Sequence, residues 1–184
     1  MPRNAATSAS NVSRGFTLVE LIACVSVLSI LTAIAAPSMA ALMERQRAAA
    51  ATNALVTQLA MARMAAISKR GISVLCPSRN GANCDAGSDW SGGWLLFIDR
   101  DGNRQPDHAQ DIISADNTPL SRHLQLRSSA GRSQVRYRPD GSSAGSNLTV
   151  SICNRKGVLL SKVVVNNSGR ARSERPAQPT PCPN

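Results

Sequence analysis

Hydrophobic and polar positions fall into two regimes along this chain. From Phe16 to Met43 nearly every residue is apolar or small, and Glu20 is the sole charged side chain between Arg14 and Glu44. The uncharged stretch 21–43, at ~1.5 Å per helical residue, is long enough to cross a ~30 Å hydrocarbon layer. Residues 44–70 then continue without Gly or Pro and are rich in Ala, Leu, Met, Gln and Arg, all good helix formers. Within them Leu55, Leu59, Ala62 and Ala66 follow the 4-3-4 spacing of one helix face. The pattern predicts one helix from Phe16 to about Lys69, closed by Gly71 as a C-terminal cap. Beyond it, short runs at 72–76, 94–98, 112–115, 124–127, 134–138, 148–154 and 158–166 read as strands. Asn154-Arg155-Lys156-Gly157 makes the turn of a hairpin between the last two. After Gly169 the chain turns basic and then proline-rich, with Pro176, Pro179, Pro181 and Pro183. Such a tail cannot be a central strand, and an extended segment tied down by Cys182 is predicted instead. The fold class is α+β: a long N-terminal helix, transmembrane in its first half, packed on a small antiparallel β-sheet domain.

Charge changes the picture because it is unevenly placed. From Asp85 to Asp116 there are seven acids against Arg100 and Arg104, a net of −5; from Asn117 onward there are eleven Lys and Arg against Asp140 and Glu174, a net of +9. A basic half of this kind points to a polyanion, nucleic acid or an anionic surface, with solubility and subunit packing as the alternatives. Glu20 is the opposite case, one acid at the edge of a membrane span. Left ionised and unpaired it would cost a few kcal/mol or more, so a functional partner is expected.

The cysteines separate by surroundings. Cys24 lies in the apolar span and reads as a small hydrophobe. Cys76, Cys84, Cys153 and Cys182 form an even set beyond it, which favours disulfides if that part is exported. Zinc is disfavoured, since no Cys-x-x-Cys pair occurs and the histidines are His108 and His123. Local closure favours Cys76 with Cys84, which leaves Cys153 with Cys182. Asp99-x-Asp101-x-Asn103 has the alternation of a calcium loop, but Gly102 falls at the fourth position and Gln110 at the twelfth, so a solvated acidic turn is expected. No nucleophile pattern surrounds either histidine and no phosphate-cradling Gly-rich motif occurs, which leaves catalysis and a cofactor without support.

Gly15-Phe16-Thr17-Leu18-Val19-Glu20-Leu21 resembles the cleavage and methylation motif of type IV prepilins and pseudopilins. The resemblance implies that residues 1–15 are a leader removed after Gly15 by a prepilin peptidase, and that Phe16 is N-methylated. Residues 16–43 would be the transmembrane and filament-core half of the helix, 44–70 its second half, and 71–184 a globular β domain with a proline-rich tail. It further implies storage in the bacterial inner membrane with the globular part in the periplasm, then assembly into a surface filament with other pilins and minor pilins. Glu20 would pair with the amino group of a neighbouring Phe16, and Pro37 matches a helix kink. Trp90-Ser91-Gly92-Gly93-Trp94-Leu95-Leu96-Phe97-Ile98-Asp99 is similar to a signature of the FimT/GspH group of minor pilins and pseudopilins.

The basic half carries a second motif. In Gly169-Arg170-Ala171-Arg172, glycine permits a tight turn, and if the chain after it is extended, Arg170 and Arg172 project on one side, each able to fork onto phosphate oxygens. Arg175, Lys162, Arg155 and Lys156, and Arg136 with Arg138 on one face of their strand, would enlarge the patch. Gly-Arg-x-Arg is similar to the motif associated with DNA binding by FimT proteins of naturally transformable bacteria. The implied function is a minor pilin that contacts double-stranded DNA without sequence preference for uptake in transformation. The alternative is a structural pseudopilin of a type II secretion system, or a minor pilin that only primes pilus assembly. No aromatic is interleaved with these charges, so contact should be led by phosphate and weakened by salt.

Overall fold

The computed structural model describes residues 15–117, 123–145 and 147–183, so residues 1–14 of the expected leader lie outside it. The chain divides into two compact units with the boundary between Ala41 and Leu42. Helix α1, Leu18–Lys69, begins in the first and ends in the second. It starts two residues later than the hydrophobic pattern suggests because Thr17 caps it: the Thr17 Oγ1 accepts the Glu20 N–H at 3.3 Å. In the first unit Leu21, Ile22, Val25 and Leu28 are exposed, and an 18-residue window has a mean hydropathy of 2.4, long and apolar enough to cross a membrane. Its hydroxyls suit that setting, since Ser26, Ser29 and Thr32 donate to the carbonyls of Ile22, Val25 and Leu28 one turn back. The helix is continuous through position 37. The side chain of Pro37, where a kink was expected, lies outside the described residues.

In the second unit, Ala48, Ala51, Leu55, Leu59, Ala62 and Ala66 form the buried face of α1. The 4-3-4 spacing read from the sequence is this face. Its end differs in one respect. Arg70, not Gly71, takes the left-handed conformation, with φ of 51°. The Arg70 N–H bonds the Ile67 carbonyl and the Gly71 N–H bonds that of Ala66, a Schellman closure shifted one residue. Gly71 serves packing instead: a Cβ there would stand 3.3 Å from Ile98 Cγ2.

Two antiparallel sheets, rather than one, face the helix. In the first, β1 (Ile72–Pro77), β2 (Trp94–Asp99), β3 (Ile112–Asp116) and β5 (Val135–Tyr137) are ordered β3-β2-β1-β5. In the second, β4 (Leu124–Ser128), β6 (Leu148–Asn154), β7 (Val158–Val165) and β8 (Ala171–Glu174) are ordered β4-β6-β7-β8, and β9 (Thr180–Pro181) also pairs with β7. The main core joins the helix face to Leu75, Trp90, Trp94, Tyr137, Leu148, Ile152 and Val163. Alternation along β1 and β2 sends Val74, Cys76, Leu95 and Phe97 to the other side, where they form a second cluster with Cys84. Thr52 Oγ1 and Ser161 Oγ share a buried hydrogen bond of 2.7 Å that fixes α1 against β7.

The structure forms the disulfides Cys76–Cys84 and Cys153–Cys182, with Cα separations of 5.6 and 6.0 Å. The basic start of the tail is the edge strand β8, and its proline-rich part returns to the same edge as β9, where the Cys182 N–H bonds the Gly157 carbonyl at 2.8 Å. With 29 residues of sequence separation, closing this loop constrains the unfolded chain strongly. Replacing Cys153 and Cys182 by Ser is expected to cost ~3 to 4 kcal/mol, read as a lower urea midpoint with a somewhat steeper slope, because the unfolded chain freed of the cross-link exposes more surface.

Candidate nucleic-acid interface

Register places the predicted cations more finely than sequence could. On β7 and β8, Lys162 stands opposite Glu174 and Val164 opposite Arg172. Because side chains alternate, these four share the face turned away from the core, while Val163, Val165 and Ala171 face inward. Continuing across the sheet, Ser151 opposes Lys162 and Arg127 opposes Ser151, so Arg127, which sequence reading passed over, joins the same face. Arg155 and Lys156 are exposed at the β6–β7 turn, which Asn154 holds by accepting the N–H groups of Lys156 and Val158 on Oδ1 at 3.0 and 2.9 Å. β7 is ~23 Å long at ~3.3 Å per residue, so Arg155 and Lys156 at one end, Lys162 and Arg172 midway and Arg170 at the other are strung along β7 and the edge strand β8.

Glu174 sits among them. It binds Lys162 Nζ at 2.9 Å and Arg172 Nε at 2.7 Å. Those two hydrogen bonds, from Lys162 and then Arg172, hold its carboxyl below the usual glutamate range. The favourable pairing is therefore complete above about pH 4.5 and lost only as pH falls through the depressed value. At neutral pH one carboxylate answers two of the edge cations.

Arg170 is exposed and forms no ion pair with the described residues. Its position comes from a turn fixed at two points. The Asn166 Oδ1 accepts the Arg170 N–H at 2.9 Å, and Gly169, with φ of 78°, lies so close to the Gly141 backbone that a Cβ would fall on the Gly141 carbonyl oxygen. The Ser143 N–H reaches the Asn167 carbonyl at 3.0 Å, so the 141–143 turn of the first sheet braces the 167–169 turn of the second. Arg63 of α1, another residue missed from sequence, meets Arg170 across a cleft of about 200 Å³ that Tyr137 also lines. Burial pushes the Tyr137 hydroxyl up to about 12 despite the charges of Arg63 and Arg132, so it stays protonated.

Three predicted cations lie elsewhere. Arg175 lines an apolar cleft beside Arg45 and Ala48 of α1, on the helix side of the tail rather than beside Arg172. Arg136 of the first sheet and Arg138, just past the end of β5, line a separate groove with Arg104 and Arg132. The acidic turn closes on itself: the Asp99 Oδ1 accepts the Gly102 N–H at 3.0 Å, and Asn103 Nδ2 donates to Asp101 and Asp107 at 2.9 Å each. Among the described residues no group of three His, Cys, Asp or Glu is placed to hold a metal ion. At the other end of the chain Gly15, Phe16 and Glu20 are exposed.

A long helix with an apolar head, continued into a small domain of two antiparallel sheets and preceded by Gly15-Phe16, defines a subunit of the type IV pilin class. The model of the family described as Type II transport protein GspH matches residues 51–169, and that of the prokaryotic N-terminal methylation motif matches residues 10–36. The chain belongs to the GspH family. It is 29% identical over 165 residues to the pilin-like protein PilA1 of Thermus thermophilus, covering 88% of this chain and 98% of that one. The fold is similar to that of the type IV minor pilin FimU of Pseudomonas aeruginosa, with a TM-score of 0.58 at 16% identity over 76% of this chain and 96% of FimU. It is also similar to the minor pseudopilin EpsH of the Vibrio cholerae type 2 secretion system, with a TM-score of 0.51 at 14% identity over 72% of this chain and 99% of EpsH. The protein is a minor pilin or pseudopilin, a membrane-anchored subunit that associates with other pilins in a filament.

Proposed function

We propose that this subunit joins a type IV pilus and there contacts extracellular double-stranded DNA through its phosphates, without sequence preference, for uptake in natural transformation. In this reading prepilin peptidase cuts after Gly15, Phe16 is methylated, and the subunit waits in the inner membrane with residues 42–184 in the periplasm. The observation that carries it is the cationic edge formed by Arg155, Lys156, Lys162, Arg170 and Arg172, with Glu174 as its one acid among the described residues. Trp90, Trp94, Phe97 and Tyr137 are all buried, so no base can stack on the edge and guanidinium–phosphate contacts supply the affinity.

Fluorescence anisotropy of a labelled duplex, with the full chain in non-ionic detergent, tests it. Arg170→Ala with Arg172→Ala is expected to weaken binding about tenfold at low salt and to flatten the dependence of log affinity on log salt by ~1.8, two contacts at ~0.9 each. Parent affinity in the double variant removes this site, and no binding by the parent at ~50 mM salt removes the function. A gain-of-function variant gives an independent check. Glu174→Gln releases Lys162 and Arg172 together and is expected to tighten the duplex several-fold; unchanged affinity means those two cations do not touch DNA.

The second reading, a structural pseudopilin of a type II secretion system, is favoured by the family description and by the likeness to EpsH. It predicts a filament subunit whose duplex affinity is indifferent to all three substitutions.

A further inference from the structure

The groove on the first sheet is a separate site. Arg136 pairs opposite Val74 on β5, whose other side is bridged by the 142–144 segment, and Arg138 follows two residues later. Arg104 comes over from the acidic turn, in a left-handed conformation with φ of 68°. Arg132 completes the set, so four arginines drawn from two stretches of chain, the acidic turn and residues 132–138, line one open groove of about 480 Å³. Among the described residues that line it, none is acidic. Asp140, the nearest acid in sequence to Arg138, lies outside the lining and accepts the Ser142 N–H at 2.8 Å.

Two of these side chains are held in place by the fold. Arg132 donates from Nε to the Gln134 carbonyl at 3.1 Å, and from one terminal nitrogen to Ser143 Oγ at 2.9 Å and the Ala144 carbonyl at 2.6 Å. Burial, and after it the charge of Arg136, pushes its guanidinium below the ordinary arginine value. Arg136 is half-buried, and its Nε is an interior donor with no acceptor among the described residues. An interior N–H without a partner calls for one, and like charges gathered without an acid call for an anion.

We propose that this groove binds a phosphate group: Arg136 forms its donating floor, Arg132, with its Nε and one terminal nitrogen already engaged by the fold, adds a fixed positive charge beside it, and Arg104 and Arg138 close over the oxygens. Guanidinium matches tetrahedral oxyanions through paired N–H donors, which is why four arginines rather than lysines suit a phosphate. The phosphate comes either as a diester in a nucleic-acid backbone or as a free anion. The site does not depend on the cationic edge of the second sheet.

The test follows arginine Nε–H resonances of the ¹⁵N-labelled full chain in non-ionic detergent, with inorganic pyrophosphate and a short DNA duplex as separate probes. The Arg136 signal is expected to shift with at least one of them, and Arg104→Gln with Arg138→Gln to weaken that binding about tenfold. Both replaced side chains are exposed, so the fold is kept. A shift with duplex alone identifies the diester as the natural source; a shift with pyrophosphate alone identifies a free anion. An Arg136 signal that moves with neither, or parent affinity in the double variant, overturns the proposal. Repeating the titration on Arg170→Ala with Arg172→Ala separates the two sites, because the Arg136 response to pyrophosphate should survive it.

Discussion

Glu20→Gln is expected to be missing from sheared filaments as completely as Glu20→Ala, while both variants accumulate normally in the membrane. The choice of Gln matters because the structure offers Glu20 a second, cheaper role. Thr17 is the N-cap of α1 and Glu20 is three residues later, the arrangement of a capping box, whose first half is the 3.3 Å bond from the Glu20 N–H to Thr17 Oγ1. Gln completes such a box as well as Glu, so capping alone predicts that Glu20→Gln assembles and Glu20→Ala does not. If the negative charge is what counts, the two fail alike. A cap contributes ~1 kcal/mol; an unpaired ionised carboxylate costs ~2.5 to 3.5 kcal/mol at the centre of a span, an upper bound for Glu20 at its edge, so the charge can outweigh the cap. Among the described residues nothing bonds to the Glu20 side chain, which leaves it open to a partner from another subunit. The proposed one is the Phe16 amino group of a neighbouring subunit, released by cleavage after Gly15. Immunoblots of sheared filament and membrane fractions decide the matter, and parent levels of Glu20→Gln in filaments would sink the pairing.

Local chemistry explains which features could be read ahead of the structure. The buried face at Leu55, Leu59, Ala62 and Ala66 was legible because helical periodicity is written in consecutive residues. The disulfides were legible because Cys76 and Cys84 bracket a short loop and leave one pair over. The hairpin turn at 154–157 carries its own signal in Asn154 and Gly157. What escaped depends on long-range placement. Arg104 was counted among the acids of its loop, yet it lines one groove with Arg136 of β5. Arg63 reads as an ordinary helix residue until the 169 turn meets it. Splitting the basic patch between two sheets required the strand order, and the pairing of β1 with β5 across some sixty residues has no local signature. Even the Gly-Arg-x-Arg motif was read for only half its meaning, since flexibility at Gly169 was visible but its contact with Gly141 was not.

That contact makes the glycine replacements the sharpest probe of how the edge is built. Gly157 and Gly169 have nearly the same backbone conformation, φ of 74° and 78°, so the intrinsic strain of a side chain is the same at both. Their surroundings differ. A Cβ on Gly157 meets nothing within 4 Å, whereas on Gly169 it falls on the Gly141 carbonyl oxygen and stands 3.2 Å from a Tyr137 ring carbon. Gly157→Ala should therefore cost only the left-handed penalty, ~1 to 2 kcal/mol. Gly169→Ala adds a backbone clash that no rotamer can relieve, for a total of ~4 kcal/mol or more. The alternative for the chain is to part the two turns. This would break the bond from the Ser143 N–H to Asn167 and release Arg170 from the position Asn166 gives it. On the proposed function, duplex affinity then falls with the turn even at temperatures where the rest of the domain stays folded, while Gly157→Ala binds like the parent. Thermal melts and anisotropy on the two variants measure both halves. Equal destabilisation would show that the Gly141–Gly169 contact is not what holds the turn, and normal binding by Gly169→Ala would show that Arg170 does not need it.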